Sequence, residues 1–337
     1  MVKNRLKYGP GFVHLAWIGL LVLLAGCGGK AEEKQMYRIG ILSGLDYFAD
    51  SQTGFINKMA ELGYVEGENV TYDLQKTNID PVAEQRILQQ FVDDEVDLIF
   101  TFPTEASLQA KRITQGTGIP VVFANANIEG VGLVESVREP GVGITGVRYP
   151  GPDLAIKRLE ILLEFMPEVK RIWLPYQDGY PIILKQLEAL RPLVASRGVV
   201  LVETPAANVA DLQADLDARA AQEDIGIDAI LQIIDPLAVN PEAFVVFGTF
   251  AAAHHIPVGG TTMTVGGLRS IFGVSTKSLA VGAQAAIIAD KILNGAPAGS
   301  IPVISADTFL EINYRAAQEM GIPVPEGLLS KADVIIR

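Results

Sequence analysis

The chain has 337 residues, 49% of them hydrophobic and 20% charged, which is the balance of a globular protein with about two domains. This composition excludes disordered, collagen-like and coiled-coil proteins. The 27 basic residues against 39 acidic ones give a net charge of -12, which is unfavourable for binding nucleic acid. A single cysteine excludes an internal disulfide and a cysteine-based zinc site.

The first predicted element is an export signal. Lys3, Arg5 and Lys7 form a basic head, and the apolar run over residues 12–24 is shorter than the ~20 residues of a membrane-spanning helix. The segment Leu24-Ala25-Gly26-Cys27 resembles the bacterial lipobox, in which the cysteine is lipidated. The alternative is an ordinary signal peptide or an anchor helix with an incidental cysteine.

We therefore predict a lipoprotein signal peptide over residues 1–26, lipidation of Cys27 and a tether over residues 27–36. Two or more acyl chains give a stable membrane anchor. The body of the protein is then expected outside the cytoplasmic membrane, in a periplasm or on the outer cell surface.

From residue 37 the chain alternates short β-rich runs with amphipathic helical runs. Predicted strands lie at 37–42, 70–74, 97–102 and 119–124, and predicted helices at 53–62, 82–92 and 105–114. This alternation predicts parallel βαβ units. The continuous apolar strands fit a sheet that is covered on both faces.

A second series of the same kind begins near Pro150. Its predicted helices lie at 154–165, 181–196, 209–222, 244–253, 277–293 and 313–320. Its predicted strands lie at 171–174, 199–202, 228–233, 257–259, 269–274 and 301–304. The repetition predicts an α/β fold with two doubly wound, parallel-sheet lobes.

The two lobes are expected to exchange chain segments. We predict lobe 1 over residues 37–148 plus 276–300, and lobe 2 over residues 149–275 plus 301–337. Crossings are predicted at 146–151, 273–276 and 300–304. Several crossings form a hinge that limits the motion of the lobes to closure and twist.

The candidate ligand-binding residues follow the ends of the predicted strands, because ligands of open α/β sheets bind beyond the carboxyl ends of the strands. In lobe 1 the candidates are Ser43, Asp46, Tyr47, Phe102, Thr104, Glu105, Asn125 and Asn127. In lobe 2 they are Tyr176, Asp178, Tyr180, Asp235, Thr261 and Thr262. The crossings add Arg148, Tyr149 and Ser275.

The charges in this set favour a zwitterion. Four acids stand against one cation, Arg148, so a purely anionic ligand would be repelled. The acids suit an ammonium group, and a carboxylate can be held by the helix start at 104–107. Several tyrosines can pack on an apolar or aromatic side chain. An amino acid or a similar zwitterion fits best.

The sequence gives no support for catalysis or for a cofactor. Neither a dinucleotide-binding glycine motif nor a phosphate-binding loop occurs. Ser43 lacks the nucleophile-elbow motif and has no histidine placed to act as its base. The adjacent His254 and His255 cannot face one metal ion from a helix. We expect no enzymatic activity, no cofactor and no metal site.

Several segments of the body carry a family resemblance. They are residues 63–70 (GYVEGENV), 97–100 (DLIF), 119–124 (IPVVFA), 312–333 and, as the most specific, 130–146 (GVGLVESVREPGVGITG). Together they resemble the ABC-transporter substrate-binding family that includes tryptophan- and tyrosine-type binding lipoproteins. The resemblance covers about residues 37–337. It implies a type I periplasmic-binding fold, a solute held between lobes, and delivery to a membrane permease with its ATPase.

Two predicted ligand loops depart from the family pattern. The family usually has Asp-Pro after the strand at 119–124, where this chain has Asn127-Ile128-Glu129. An Asn-Pro pair is common at the start of lobe 2, where this chain has Tyr176-Gln177-Asp178. An aromatic amino acid is therefore not carried over directly as the ligand.

The leading hypothesis is a monomeric, lipid-anchored solute receptor of an ABC importer, in which ligand shifts an open–closed equilibrium. The alternative is a sensory receptor whose closure signals to a membrane kinase or a chemoreceptor. An extracytoplasmic enzyme and a cytoplasmic repressor of the same lobe design are disfavoured. The first lacks a catalytic set, and the second is at odds with the export signal.

Overall fold

The computed structural model describes Met1 and residues 36–337. The predictions for the signal peptide beyond Met1, for lipidation of Cys27 and for the tether up to residue 35 lie outside the described residues. From Tyr37 onward, strands and helices alternate and assemble into two large sheets.

The first sheet contains six parallel strands built from β-branched, aromatic and other apolar residues. They are β1 (Tyr37–Ser43), β2 (Val70–Lys76), β3 (Leu98–Phe102), β4 (Val121–Ala126), β5 (Ile144–Arg148) and, from the distal part of the chain, β13 (Ile304–Ser305). Their spatial order is β13-β5-β4-β3-β1-β2. Every residue of β3 and β4 is buried, as expected for a sheet covered by helices on both faces.

Four helices belong to this first lobe. They are α1 (Asp50–Glu61), α2 (Pro81–Asp93), α3 (Thr104–Ile113) and α8 (Ser278–Leu293). Helix α2 begins where it does because the Asp80 carboxylate accepts hydrogen bonds from the backbone N–H groups of Val82 and Ala83, each at 3.0 Å. Pro81 follows at the first helical position, where its missing N–H and fixed φ are tolerated best.

Helix α8 reaches the first lobe after the chain has built most of the second. It packs on α1 at backbone distance, and glycine allows this approach. A Cβ atom on Gly54 would lie 1.9 Å from the Leu279 carbonyl oxygen, and one on Gly282 would lie 1.9 Å from the Ser51 carbonyl oxygen. Both positions therefore require glycine for steric reasons.

The second sheet has seven strands in the order β15-β14-β12-β9-β8-β6-β7, and only the β12–β14 pair is antiparallel. The strands are β6 (Arg171–Gln177), β7 (Val200–Ala206), β8 (Ala229–Leu231), β9 (Val258–Gly260), β12 (Phe272–Thr276), β14 (Thr308–Asn313) and β15 (Val334–Ile336). Its helices are α4 (Gly151–Phe165), α5 (Ile183–Ser196), α6 (Val209–Ala220), α7 (Pro241–His254), α9 (Tyr314–Glu319) and α10 (Glu326–Lys331). A small hairpin, β10 (Thr264–Val265) and β11 (Leu268–Arg269), lies beside α7.

The chain crosses between the two sheets three times, after β5, after β12 and after β13. The third crossing differs from the predicted position at 300–304. Strand β13 pairs with the edge of β5, with Ile304 opposite Val147 and Ser305 opposite Arg148, so the chain leaves the first sheet after Ser305. Residues 301–305, predicted in lobe 2, therefore belong with the first sheet; the remaining lobe boundaries stay a prediction.

The α/β fold class with two largely parallel sheets is confirmed. Strands β14 and β15 and the β10–β11 hairpin were not predicted. Strand β14 has a mixed burial pattern, β15 is three residues long with exposed ends, and the hairpin strands have two residues each, so none of them shows a long apolar run. No helix within residues 36–337 is long and apolar enough to cross a bilayer.

Candidate functional site

A small cavity lies between the two lobes, beyond the carboxyl ends of the strands of both sheets. It leaves about 20 Å³ for the centres of water molecules, room for about one water. The first lobe lines it with Leu45, Tyr47, Phe48, Pro103, Thr104, Asn125 and Asn127, and the first crossing adds Tyr149. The second lobe contributes Tyr180, Ile182, Ile234, Asp235, Pro236 and Val239. The lobes are thus closed on each other, and an organic ligand requires them to separate.

Aromatic rings form one wall of the cavity. A short 3-10 turn at Asp46–Phe48 directly after β1 presents Tyr47, whose ring packs edge-on against Phe48 with centroids 4.9 Å apart. The buried Phe48 ring in turn lies 6.3 Å from the ring of Tyr149. These faces suit an apolar or aromatic group.

Two asparagines at the end of β4 form the adjacent wall, with Asn125 inside the strand and Asn127 directly after it. Asn125 has a left-handed φ of 47°, and its side chain donates to the Ser51 hydroxyl at 2.8 Å and accepts from the Thr276 hydroxyl at 3.2 Å. Thr276 ends β12, so this bond joins the first lobe to the second crossing. The backbone N–H of Asn127 donates to the Thr104 hydroxyl at 3.0 Å. The side-chain amide of Asn125 and the backbone of Asn127 are therefore fixed by their surroundings.

Asp235, after β8, is the acid of the second lobe that lines the cavity. Its Oδ1 accepts from the backbone N–H groups of Leu237 and Ala238 at 2.8 and 2.9 Å. Its Oδ2 is buried and has no hydrogen-bond partner among the described residues. Burial raises the pKa of Asp235 to about 7, although the N–H groups of Ala238, Leu237 and Gln177 oppose that rise.

Glu105 faces the same region from the first turn of α3. Its Oε2 is also buried and lacks a hydrogen-bond partner within the part of the chain that the structure describes. Tyr180 is near enough to both acids for their charges to act on its hydroxyl. Burial raises the pKa of the Tyr180 hydroxyl, and the carboxylates of Glu105 and Asp235 raise it further. Two carboxylates from opposite lobes thus converge on one tyrosine.

Tyr149 lies at the floor of the cavity and is fully buried, and burial raises its pKa to about 12. Its hydroxyl oxygen accepts a hydrogen bond from Nη2 of Arg158 at 2.8 Å. Arg158 on α4 is 0% exposed and was absent from the sequence-based candidates. The helical pattern could have revealed it, since Arg158 occupies the same buried face as Leu154 and Leu162.

The structure brings seven of the predicted site residues to the cavity: Tyr47, Thr104, Asn125, Asn127, Tyr149, Tyr180 and Asp235. The others do not line it in this conformation. Ser43, Phe102, Thr261 and Ser275 are buried beside strand ends; Glu105 and Tyr176 are partly buried; and Asp46, Asp178 and Thr262 are exposed. Their participation in ligand binding stays a prediction.

Arg148 is engaged by hinge groups rather than facing the cavity. Its Nη1 is paired with Glu129, its Nη2 lies 3.2 Å from Asp153 Oδ2, and its Nε donates to the Ser305 hydroxyl at 2.7 Å. Glu129 follows β4 of the first lobe, while Asp153 is on α4 of the second. The guanidinium therefore ties the two lobes at the crossings.

The prediction missed the apolar part of the lining, which is Leu45, Phe48, Pro103, Ile182, Ile234, Pro236 and Val239. All of these residues lie in the segments that follow strand ends, with Val239 the farthest from its strand, so the same topological rule could have found them. In the sequence, an apolar side chain in a loop looks the same whether it packs in the core or contacts a ligand. Within residues 36–337, no group of three or more His, Cys, Asp or Glu side chains is arranged to hold a metal ion.

Comparison with known proteins identifies the family of this chain. The profile of the ABC transporter substrate binding protein family matches residues 41–336. A tyrosine-binding protein of Clostridioides difficile (strain R20291) is 25% identical over 283 residues, which are 82% of this chain and 79% of that protein.

Solved structures agree with this assignment. A conserved domain protein of Vibrio cholerae is 26% identical, with a TM-score of 0.76 over 89% of this chain and 100% of that one. The ABC domain of a Streptococcus pneumoniae protein in complex with L-Trp has a TM-score of 0.77 at 21% identity, over 90% of this chain and 100% of that one. The fold is that of type I periplasmic binding proteins. The chain therefore belongs to the ABC transporter substrate-binding protein family, whose members bind solutes and are not enzymes.

Proposed function

We propose that this protein captures an α-amino acid with an apolar or aromatic side chain in the cleft between its lobes. It then delivers this ligand to an ABC permease and its ATPase. Members of this family act outside the cytoplasm, and we propose that a lipid on Cys27 holds this one at the membrane.

The observation that carries the proposal is a pair of buried carboxylate oxygens, Glu105 Oε2 and Asp235 Oδ2, that have no hydrogen-bond partner among the described residues and whose side chains both act on Tyr180. Two carboxylates that approach each other in a cleft of low polarity repel. An ammonium group between them would replace that repulsion with two charge-assisted hydrogen bonds. Closure of the lobes would therefore be most favourable around a ligand that carries an amino group.

The rest of the ligand is suggested by the aromatic wall. Tyr47, Phe48 and Tyr149 offer ring faces and edges for an apolar side chain. The relatives support this choice, since one is named a tyrosine-binding protein and a neighbour of the same fold holds L-Trp. A sugar would meet fewer hydrogen-bonding partners in a cavity with this many apolar groups.

Capture proceeds by hinge motion. The closed cavity accommodates about one water, so ligand enters an open form and the lobes close around it. Ligand contacts made by both lobes exist only in the closed form, and they shift the equilibrium toward it. The closed surface is what the permease would recognise.

Calorimetry on protein freed of bound ligand by unfolding and refolding tests this proposal. We expect heat of binding from one or a few apolar or aromatic L-amino acids in a full panel. We also expect no binding of the matched acids that lack the amino group, such as 3-phenylpropionate. Glu105→Gln and Asp235→Asn should each weaken amino-acid binding by about tenfold or more. Absence of heat from every amino acid, or equal binding of 3-phenylpropionate, would contradict the proposal.

A further inference from the structure

Arg158 is a charged side chain in a core position. It lies on α4 between Ala155 and Leu159, on the face that packs into the second lobe, and it is 0% exposed. Among the described residues, no carboxylate lies within ion-pairing distance of it. A buried guanidinium without an anion is unfavourable, and proteins normally supply a counter-charge.

The hydrogen bonds of Arg158 leave donors unused. Nε and Nη2 donate to the Val274 carbonyl oxygen at 2.9 and 2.7 Å, and Nη2 also donates to the Tyr149 oxygen at 2.8 Å. Nη1 is buried and has no partner within the described chain. The guanidinium therefore retains both an uncompensated charge and free N–H groups.

The bond from Arg158 also determines what Tyr149 can do. Its oxygen accepts from Arg158, so the hydroxyl proton points away from the guanidinium toward another acceptor. No acceptor for that proton occurs among the described residues. Tyr149 lines the cavity, and the charge of Tyr47, another lining residue, acts on its hydroxyl. A lining residue of the cavity thus carries a donor that a neighbouring cation strengthens.

Other binding sites for a carboxylate in the cleft are weaker. No lysine or arginine lines the described cavity. The start of α3, which the sequence suggested, already carries Glu105 in its first turn. That side chain complements the positive end of the helix and would repel a second carboxylate there.

We propose that the Tyr149 hydroxyl donates to the carboxylate of the bound ligand and that Arg158 is its positioning residue. Arg158 holds the Tyr149 oxygen, directs its proton toward the ligand and supplies the positive charge behind it. This inference rests on the proposed function and gives the ligand a direction, with its carboxylate at the crossing and its ammonium near Tyr180.

The test compares amino acids with the amines that lack only the carboxylate. L-Tyrosine and tyramine, and L-tryptophan and tryptamine, are titrated calorimetrically into the wild type, Tyr149→Phe and Arg158→Gln. We expect each substitution to weaken binding of the amino acid by about 10- to 150-fold, the range for a hydrogen bond to a charged group. Binding of the amine should change by less than about threefold, because the amine has no carboxylate that could accept the Tyr149 hydrogen bond.

Arg191→Gln is the matched control, since Arg191 is exposed and pairs with Glu203 on the surface. It should leave all four affinities unchanged. Tyr149→Phe removes one oxygen and keeps the ring, so it decides the question even where Arg158→Gln impairs folding. Thermal melts show whether Arg158→Gln has lost folding stability.

Equal weakening of amino acid and amine would overturn the inference and assign Arg158 a purely structural role, leaving the proposed function intact. Unchanged binding of both would also overturn it. A wild type that binds no amino acid would overturn the proposed function, and this inference with it.

Discussion

In the proposed function, the two carboxylate oxygens of Asp235 serve separate roles. Oδ1 accepts from Leu237 and Ala238 and so stabilises the turn after β8, while Oδ2 is left without a partner toward the cleft. The turn needs only an acceptor, which asparagine also offers. Pairing with the ammonium group of the ligand needs the negative charge.

Ligand affinity should therefore depend on pH through Asp235. Burial raises its pKa to about 7, so the carboxylate is protonated below that pH and cannot pair with an ammonium group. We expect affinity for the amino acid to rise by about tenfold per pH unit up to pH 7 and to level off above it. Calorimetry between about pH 5.5 and about pH 8 measures this.

Asp235→Asn is the companion variant, because it retains the turn acceptor and removes the charge. Its affinity should be low and nearly independent of pH over the same range. A variant with the wild-type pH profile would show that another group titrates.

At the scale of elements, the packing of α8 on α1 joins the distal chain to the first lobe. Gly282→Ala should lower the free energy of unfolding by about 1–3 kcal/mol, because its Cβ would collide with the Ser51 carbonyl oxygen at 1.9 Å. Urea unfolding followed by circular dichroism measures the loss.

The control for that substitution is Gly327→Ala on α10. The nearest atom to a Cβ there is a Glu164 oxygen at 3.9 Å, and helix propensity favours alanine. This variant should be neutral or slightly stabilising. Equal destabilisation by both substitutions would mean that contact with α1 is not the cause.

The hinge elements are tied by Arg148, which bonds to groups of both lobes. Arg148→Met should weaken closure by about 1–2 kcal/mol, because it removes two ion pairs and a hydrogen bond that are partly exposed. Affinity should fall to a similar degree for L-tyrosine and for tyramine, unlike the effect expected at Tyr149. A loss confined to L-tyrosine would instead indicate direct contact between Arg148 and the ligand.

At the scale of the whole molecule, the closed cleft should depend on ligand. Without it, Glu105 and Asp235 each bury a carboxylate oxygen that has no partner among the described residues, so the stripped protein is expected to be more open in solution at pH 8 than this structure. Small-angle X-ray scattering should show a smaller radius of gyration after addition of the amino acid. An unchanged radius would contradict hinge closure on binding.

Membrane attachment is a second property of the whole molecule, and it depends on Cys27. We expect cells fed labelled palmitate to incorporate label into the wild type and not into Cys27→Ala. The variant should fractionate away from membranes or keep its signal peptide. Label in Cys27→Ala would exclude this cysteine as the lipidation site.

The ends of the strands were the most informative sequence feature for the site. Tyr47, Asn125 and Asp235 were all found from their place after a strand, because parallel strands bring their carboxyl ends to one edge. The same rule selected Asp178 and Thr262, which point to solvent here. Spacing along the chain identifies the loop, but the orientation of each side chain depends on packing between loops.

The sequence by itself determined the alternation of strands and helices, and thereby the two parallel-sheet lobes, because hydrophobic periodicity is a local property. Tertiary structure alone decided that β13 completes the first sheet, that α8 docks on α1, and that Arg158 lies behind Tyr149 with no acid paired to it within residues 36–337. The first two features join residues more than a hundred positions apart, and the third depends on which residues pack around Arg158. Burial and hydrogen bonding in the assembled lobes decide all three, and a local sequence pattern contains neither kind of information.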